Sequence, residues 1–198
     1  MEALVSIAIM SVIFASPLAL AFNMYSKFDY LQKKMIANNL AQEGVEIVEI
    51  FRANAAILCI KNGDCDANNM SYFWTDSANG FVNNMLKQCQ TECAIDYTAI
   101  HSGFTNTGDI DYSKFQSATN CNNMYVHDNG IYTCVTYPTI TGEAKSGFAR
   151  YIKVERYNDL ASSPMSANTE LLLTSGVTFY TNGELKRAEI KTILKTIN

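Results

Sequence analysis

The sequence predicts an α+β fold: a long N-terminal helix packed on an antiparallel sheet of four or five strands, with a disulfide-bonded loop region between them. Three observations predict it. Residues 1–22 form an apolar front that passes into helical spacing over residues 23–58, all six cysteines fall between Cys59 and Cys134, and residues 122–198 alternate apolar and polar between turn signals. At 198 residues the chain is long enough for one domain with its own core. A formal net charge of −4 gives no general attraction to nucleic acid or anionic lipid.

The front is read first. Leu4 to Phe22 runs LVSIAIMSVIFASPLALAF, broken only by serines and Pro17, and all 15 Lys and Arg residues lie at Lys27 or later. As a helix this stretch spans about 28 Å, close to the hydrocarbon thickness of a bilayer. A cleavable signal peptide fits less well, because no basic stretch precedes it and no small-residue cleavage site follows. The expectation is a helix that starts in a membrane and continues into water, with residues 1–22 as the membrane segment and residues 23–198 as an extracytoplasmic head.

Lys27, Lys33 and Lys34 follow the span and, on charge alone, would face the cytoplasm. The cysteines argue for the opposite orientation, and removal of a short basic leader reconciles the two. Glu2 stands out at the start of an apolar helix, where a carboxylate drawn into lipid costs several kcal/mol. It either sits at headgroup level, complementing the positive end of the helix dipole, or neutralises a positive charge on a neighbouring chain.

Cys59, Cys65, Cys89, Cys93, Cys121 and Cys134 form an even, clustered set, which points to disulfides in an oxidising compartment. Zinc is the competing reading. The spacings are not zinc spacings, and only His101 and His127 are at hand to help. Many pairings are open; the sequence-local set Cys59–Cys65, Cys89–Cys93 and Cys121–Cys134 is the first expectation.

Three segments resemble the type IV pilin family. Glu2-Ala-Leu-Val-Ser-Ile-Ala-Ile-Met10 is similar to the family's glutamate followed by an apolar helix. Pro17 stands where the family often carries a helix-kinking proline, and Asn39-Leu-Ala-Gln-Glu-Gly-Val-Glu-Ile-Val48 looks like the LAQEG segment of pilins from candidate-phyla bacteria. The resemblance covers residues 2–52 and returns more loosely after Asn122. It implies a pilin fold with a helix kinked near Pro17, and assembly roles for Glu2 and Pro17. It also implies processing by a prepilin peptidase, residence in the inner membrane, and export by an assembly machinery into a helical filament of identical subunits at the cell surface. Adhesion, motility and DNA uptake are the downstream roles it implies. The family's glutamate stands deeper in the mature chain and is thought to meet the N-terminal amine of the adjacent subunit. A leader and a few mature residues are therefore expected ahead of Met1. Two alternatives stay open: a pseudopilin of a type II secretion system, and a membrane-anchored binding domain that does not polymerise.

Beyond the span, Ile36, Leu40, Ile47, Phe51, Ala55 and Leu58 mark one helix face, and Gly44 on the same stripe would let a sheet come close. Glu43 and Glu46 are read as a solvated face. Residues 57–121 are rich in Asn, Asp, Ser, Gly and Cys, with a short helix expected at Phe81–Gln88; disulfides are expected to hold this region down. Strands are predicted at Met124–His127, Ile131–Tyr137, Gly147–Tyr157, Glu170–Thr181 and Leu185–Ile197, with hairpin turns at Asp128-Asn129-Gly130 and Asn182-Gly183. In the last strand Ala188, Ile190, Thr192 and Leu194 alternate with Arg187, Glu189, Lys191 and Lys195.

No phosphate loop, nucleophile elbow or zinc-protease motif is present, so no enzymatic activity and no cofactor is expected. Asp64 and Asp66, and Asp109 and Asp111, put oxygen ligands in turns and are the calcium candidates. They lack the spaced acids of a calcium loop, and ordinary turn chemistry accounts for them. Tyr72-Phe73-Trp74 reads as a loop anchor. Lys186, Arg187, Lys191 and Lys195 are candidates for DNA phosphates, but Glu184 and Glu189 interrupt them.

Overall fold

The structure, a computed structural model, describes residues 2–61, 81, 85, 89–94, 116–117, 124–126, 132–133, 144–157 and 170–195. Its first element is helix α1 (Glu2–Lys61), 60 residues long, or about 90 Å. Helical residues continue on both sides of Pro17. That proline removes one backbone donor and crowds the preceding turn.

Among the described residues eight strands follow: β1 (Cys93–Ala94), β2 (Gln116–Ser117), β3 (Tyr125–Val126), β4 (Tyr132–Thr133), β5 (Ala144–Lys145), β6 (Phe148–Arg156), β7 (Leu171–Thr181) and β8 (Glu184–Leu194). The main sheet has the order β2-β1-β6-β7-β8, and every neighbouring pair is antiparallel. Its three long strands match the predicted ones to within a few residues. The α+β class is thus as the sequence predicts.

The β7–β8 turn shows why the register is firm. Asn182 and Gly183 both take positive φ, 50° and 77°, the pairing that a two-residue hairpin needs to match strand twist. With the turn fixed, Leu171, Leu173, Val177 and Phe179 of β7 share the helix-facing side with Ala188, Ile190 and Leu194 of β8. Strand β6 adds Phe148, Ile152 and Val154 to that side.

Helix α1 lies on this face through Ala37, Leu40, Ala41, Gly44, Val45, Ile47, Val48, Phe51, Ala55 and Ala56, all buried. Many of these are small, so the helix backbone comes close to the sheet. At Gly44 a methyl group would run into the side chain of Ser175 and crowd Arg150. The apolar contacts form two clusters. One groups Leu40, Ala41, Phe148, Val177 and Phe179; the other groups Ile47, Phe51, Ile152, Leu173 and Leu194, with Ile190 touching both.

Three expectations are corrected. The hairpin strands β3 and β4 do not extend the main sheet; they form a separate three-stranded sheet with β5, in the order β4-β3-β5. The fourth and fifth places in the main sheet are instead filled from the cysteine-rich region, where β1 pairs with β6 at Cys93–Ile152 and β2 pairs with β1. Residues 57–121 are therefore more than a region held down by disulfides: Phe81, Met85 and Cys89 are helical, fully buried and four residues apart, and Phe81 packs 6.5 Å from the Phe51 ring. Strand alternation cannot reveal two-residue strands, because they are too short to show a period. Finally, α1 continues to Lys61, past the helical spacing expected over residues 23–58 and into the region expected as loop.

Candidate functional site

Among the described residues, the most extensive exposed apolar surface is the front of α1. From Ala3 to Tyr25 every residue whose surface is described is exposed. Among the residues so described, twelve large apolar side chains from Val5 to Tyr25 stand in the open, Val12 at 70% and Phe14 at 67% exposure among them. They lie on all sides of the helix, not on one stripe, which is the pattern of a helix meant to be surrounded by apolar material. Burying them is worth on the order of 20 kcal/mol at about 1.5–2 kcal/mol each. That exceeds the 5–15 kcal/mol by which a typical domain is stable. No part of the most apolar stretch is covered by the head, so the helix is long and apolar enough to serve as a membrane anchor or signal.

Glu2 and Pro17 both lie on this arm. They are about 22 Å apart along the axis, so the structure does not bring them together. Of the cysteines, Cys89 and Cys93 are joined as predicted, and both are fully buried beside Phe81 and Met85. Cys59 is also disulfide-bonded, and none of the described cysteines is free. Cys65, Cys121 and Cys134 lie outside the described residues, as do the calcium candidates Asp64, Asp66, Asp109 and Asp111, the aromatic run 72–74 and the Asp128-Asn129-Gly130 turn. Among the described residues no three His, Cys, Asp or Glu side chains converge as metal ligands would.

The basic strand does not form a single patch. Lys186 faces the helix side of β8 and pairs with Glu184, while Arg187 on the opposite face pairs with Glu189 at 3.3 Å and Lys195 with Glu170 at 2.8 Å. These hydrogen-bonded pairs hold the Glu184 carboxyl below its ordinary range and the Lys186 and Lys195 amines above theirs. Acidic partners thus offset three of the four candidate cations.

Arg150 was not foreseen. It is 1% exposed, lies between the two apolar clusters on the helix-facing side of β6, and meets the Glu43 carboxylate at 3.3 Å. Glu43 is therefore not simply solvated: it closes an ion pair over the buried guanidinium, on the residue next to Gly44. The inward register of β6, where Arg150 falls between Phe148 and Ile152, is the sequence signal that would have found it.

A second network crosses the outer face of the sheet. Tyr151, Gly176 and Glu189 sit side by side on three strands. The Tyr151 ring lies over Gly176, where any side chain would displace it, and its hydroxyl donates to Glu189 Oε1 at 2.5 Å. Arg187 stacks 4.8 Å from the ring centre. Burial, then the bond to Glu189, raise the Tyr151 pKa well above the ordinary tyrosine range. The same bond holds the Glu189 carboxyl below its ordinary range. This arrangement ties three strands together.

Where α1 leaves the sheet, Ser26, Lys27 and Tyr30 face Thr181, Asn182, Glu184 and Lys186 of the β7–β8 hairpin across a shallow notch of about 320 Å³. No family model, no curated protein and no solved structure matches this chain.

Proposed function

We propose that the chain is a structural subunit of a type IV pilus-like filament. In this reading its apolar arm is held in a membrane before assembly and packed among the arms of identical subunits afterwards. The single observation that carries this reading is the division of α1: one continuous helix, docked on a sheet along one small-residue stripe and apolar on every side, unburied, for about 34 Å ahead of it. Such an arm needs an apolar host, and bundling with other arms removes from water an area that no single chain can cover. The pilin-like segments at Glu2–Met10, Pro17 and Asn39–Val48 support the same reading, and Glu2 and Pro17 are its assembly residues. Adhesion, surface motility or DNA uptake would follow from the filament, not from a catalytic centre.

Fibres sheared from the source cells, imaged by electron microscopy and identified by mass spectrometry, should contain this chain as a main component. Substituting Glu2→Leu should abolish the fibres while leaving the protein in the membrane fraction. Fibres that lack the chain, or assembly unchanged by Glu2→Leu, would overturn the reading. A chain that stays monomeric in detergent and never reaches the sheared material would instead identify a permanently anchored head.

A further inference from the structure

The tip of the β7–β8 hairpin points toward the apolar arm. Asn182 and Glu184 share the notch with Ser26 and Lys27 of α1, and Thr181 donates to Asp29 at 3.5 Å. Phe22, the end of the uncharged apolar run, lies four residues before Ser26, about 6 Å along the axis. The polar layer on each side of a bilayer is about 5–7 Å thick. A helix inserted as proposed above therefore holds the hairpin tip at headgroup depth without any movement of the head.

The tip carries the side chains that such a layer accepts. Tyr180 and Leu185 face each other across the two strands on the side away from the helix, 63% and 57% exposed. An apolar pair beside a turn is unfavourable in water but suits the boundary between headgroups and acyl chains, where tyrosine rings concentrate. Lys27 is exposed and has no ionic partner among the described residues. Its long stem can follow the helix while its amine reaches a phosphate. Tyr157, the exposed tyrosine at the far end of β6, lies where the sheet is remote from the arm.

We propose that the hairpin tip is a second membrane contact: Tyr180 and Leu185 enter the interface of the bilayer that holds the arm, and Lys27 takes a phospholipid phosphate. This fixes the head against the membrane while the subunit waits for assembly. The inference rests on insertion of α1, and its test separates the two.

The probe is the full chain in vesicles of phosphatidylcholine and phosphatidylglycerol whose acyl chains carry bromine at shallow positions. Trp74→Phe removes the single tryptophan, and Tyr25→Trp, Tyr180→Trp or Tyr157→Trp then reports on the arm, the tip or the far end. The expected result is quenching at Tyr25→Trp and Tyr180→Trp, the latter at least about two-fold above Tyr157→Trp, and a clear fall at Tyr180→Trp when Lys27→Gln is added. Quenching at Tyr25→Trp with none at Tyr180→Trp overturns the tip contact and leaves the inserted arm standing. Quenching at neither overturns both. A Tyr180→Trp signal that shifts with protein density but not with brominated lipid makes a second copy the occupant, and also overturns the contact. The unsubstituted chain gives an independent measurement: amide exchange at residues 182–185 should slow in vesicles relative to detergent, and equal rates count against the proposal.

Discussion

The two halves of α1 are one helix with two different solutions to the same problem. From Ala37 to Ala56 the buried apolar residues keep to one stripe, several are alanine or glycine, and charged residues occupy the sides, with Ile50 the large apolar residue left outside the stripe at 45% exposure. A flat sheet can cover such a stripe completely, which is why Leu40, Ile47 and Phe51 are buried. From Ala3 to Tyr25 large apolar residues occupy every side and charge is absent, so no sheet can cover more than a part of the surface. Hydrophobicity alone therefore does not decide whether a helix is buried within its own fold. Its angular distribution does, because a sheet buries one face and only a lipid or bundle host buries all of them.

The comparison can be tested from both sides. The largest effect is expected from removing residues 1–25: the truncated chain should leave the membrane fraction entirely, while thermal melting of the head shifts by no more than a few degrees. A head that fails to fold would show that the arm contributes to the core, which its full exposure argues against. Phe51→Ala, in the docked half, should destabilise the head by about 3–5 kcal/mol in denaturant unfolding, because it opens a cavity against Phe81. An equal truncation in the arm, Phe14→Ala, should leave that unfolding curve unchanged.

A smaller loss of about 1–3 kcal/mol is expected from Gly44→Val, since the added side chain meets Ser175 and Arg150 and forces helix and sheet apart. Unfolding midpoints would measure it, and a neutral result would mean that the sheet yields at that point. The smallest effect concerns pH. Glu189 has its pKa lowered in the fold, so the stability it contributes is full above the ordinary carboxylate range and is lost as pH falls through the folded value. Tyr151 has its pKa raised, so its contribution is full below the ordinary tyrosine range and is lost as pH rises through the folded value. Melting temperature followed against pH should show a shallower acid limb in Glu189→Gln than in the unsubstituted protein.

Much of this architecture was legible in the residues. Apolar spacing marked α1 and its docked stripe, Gly44 announced a close approach, and alternation located β6, β7 and β8. The Asn182-Gly183 pair named its own turn, since two successive positive φ values suit few other residues. Cys89–Cys93 was legible because a short loop brings its ends together at small entropic cost. The partners of Glu43 and Tyr151 were not legible. Arg150 reaches Glu43 across more than a hundred residues of chain, and the Tyr151–Glu189 bond depends on a register that only the assembled sheet sets.

The residues alone thus fix what is local or one-dimensional: which segment is helix, which stripe is apolar, where the chain turns, and that residues 1–22 suit a membrane. Each follows from neighbours a few positions apart. Only the folded chain shows that the cysteine-rich region supplies β1 and β2, that β3 and β4 form a separate sheet with β5, that Arg150 is sealed beneath the helix, and that the β7–β8 tip meets α1 at Ser26 and Lys27, just past the apolar run. Those outcomes depend on which distant segments compete for the same sheet edge and the same helix face. That competition is settled by packing the whole chain at once, and no short window of residues contains it.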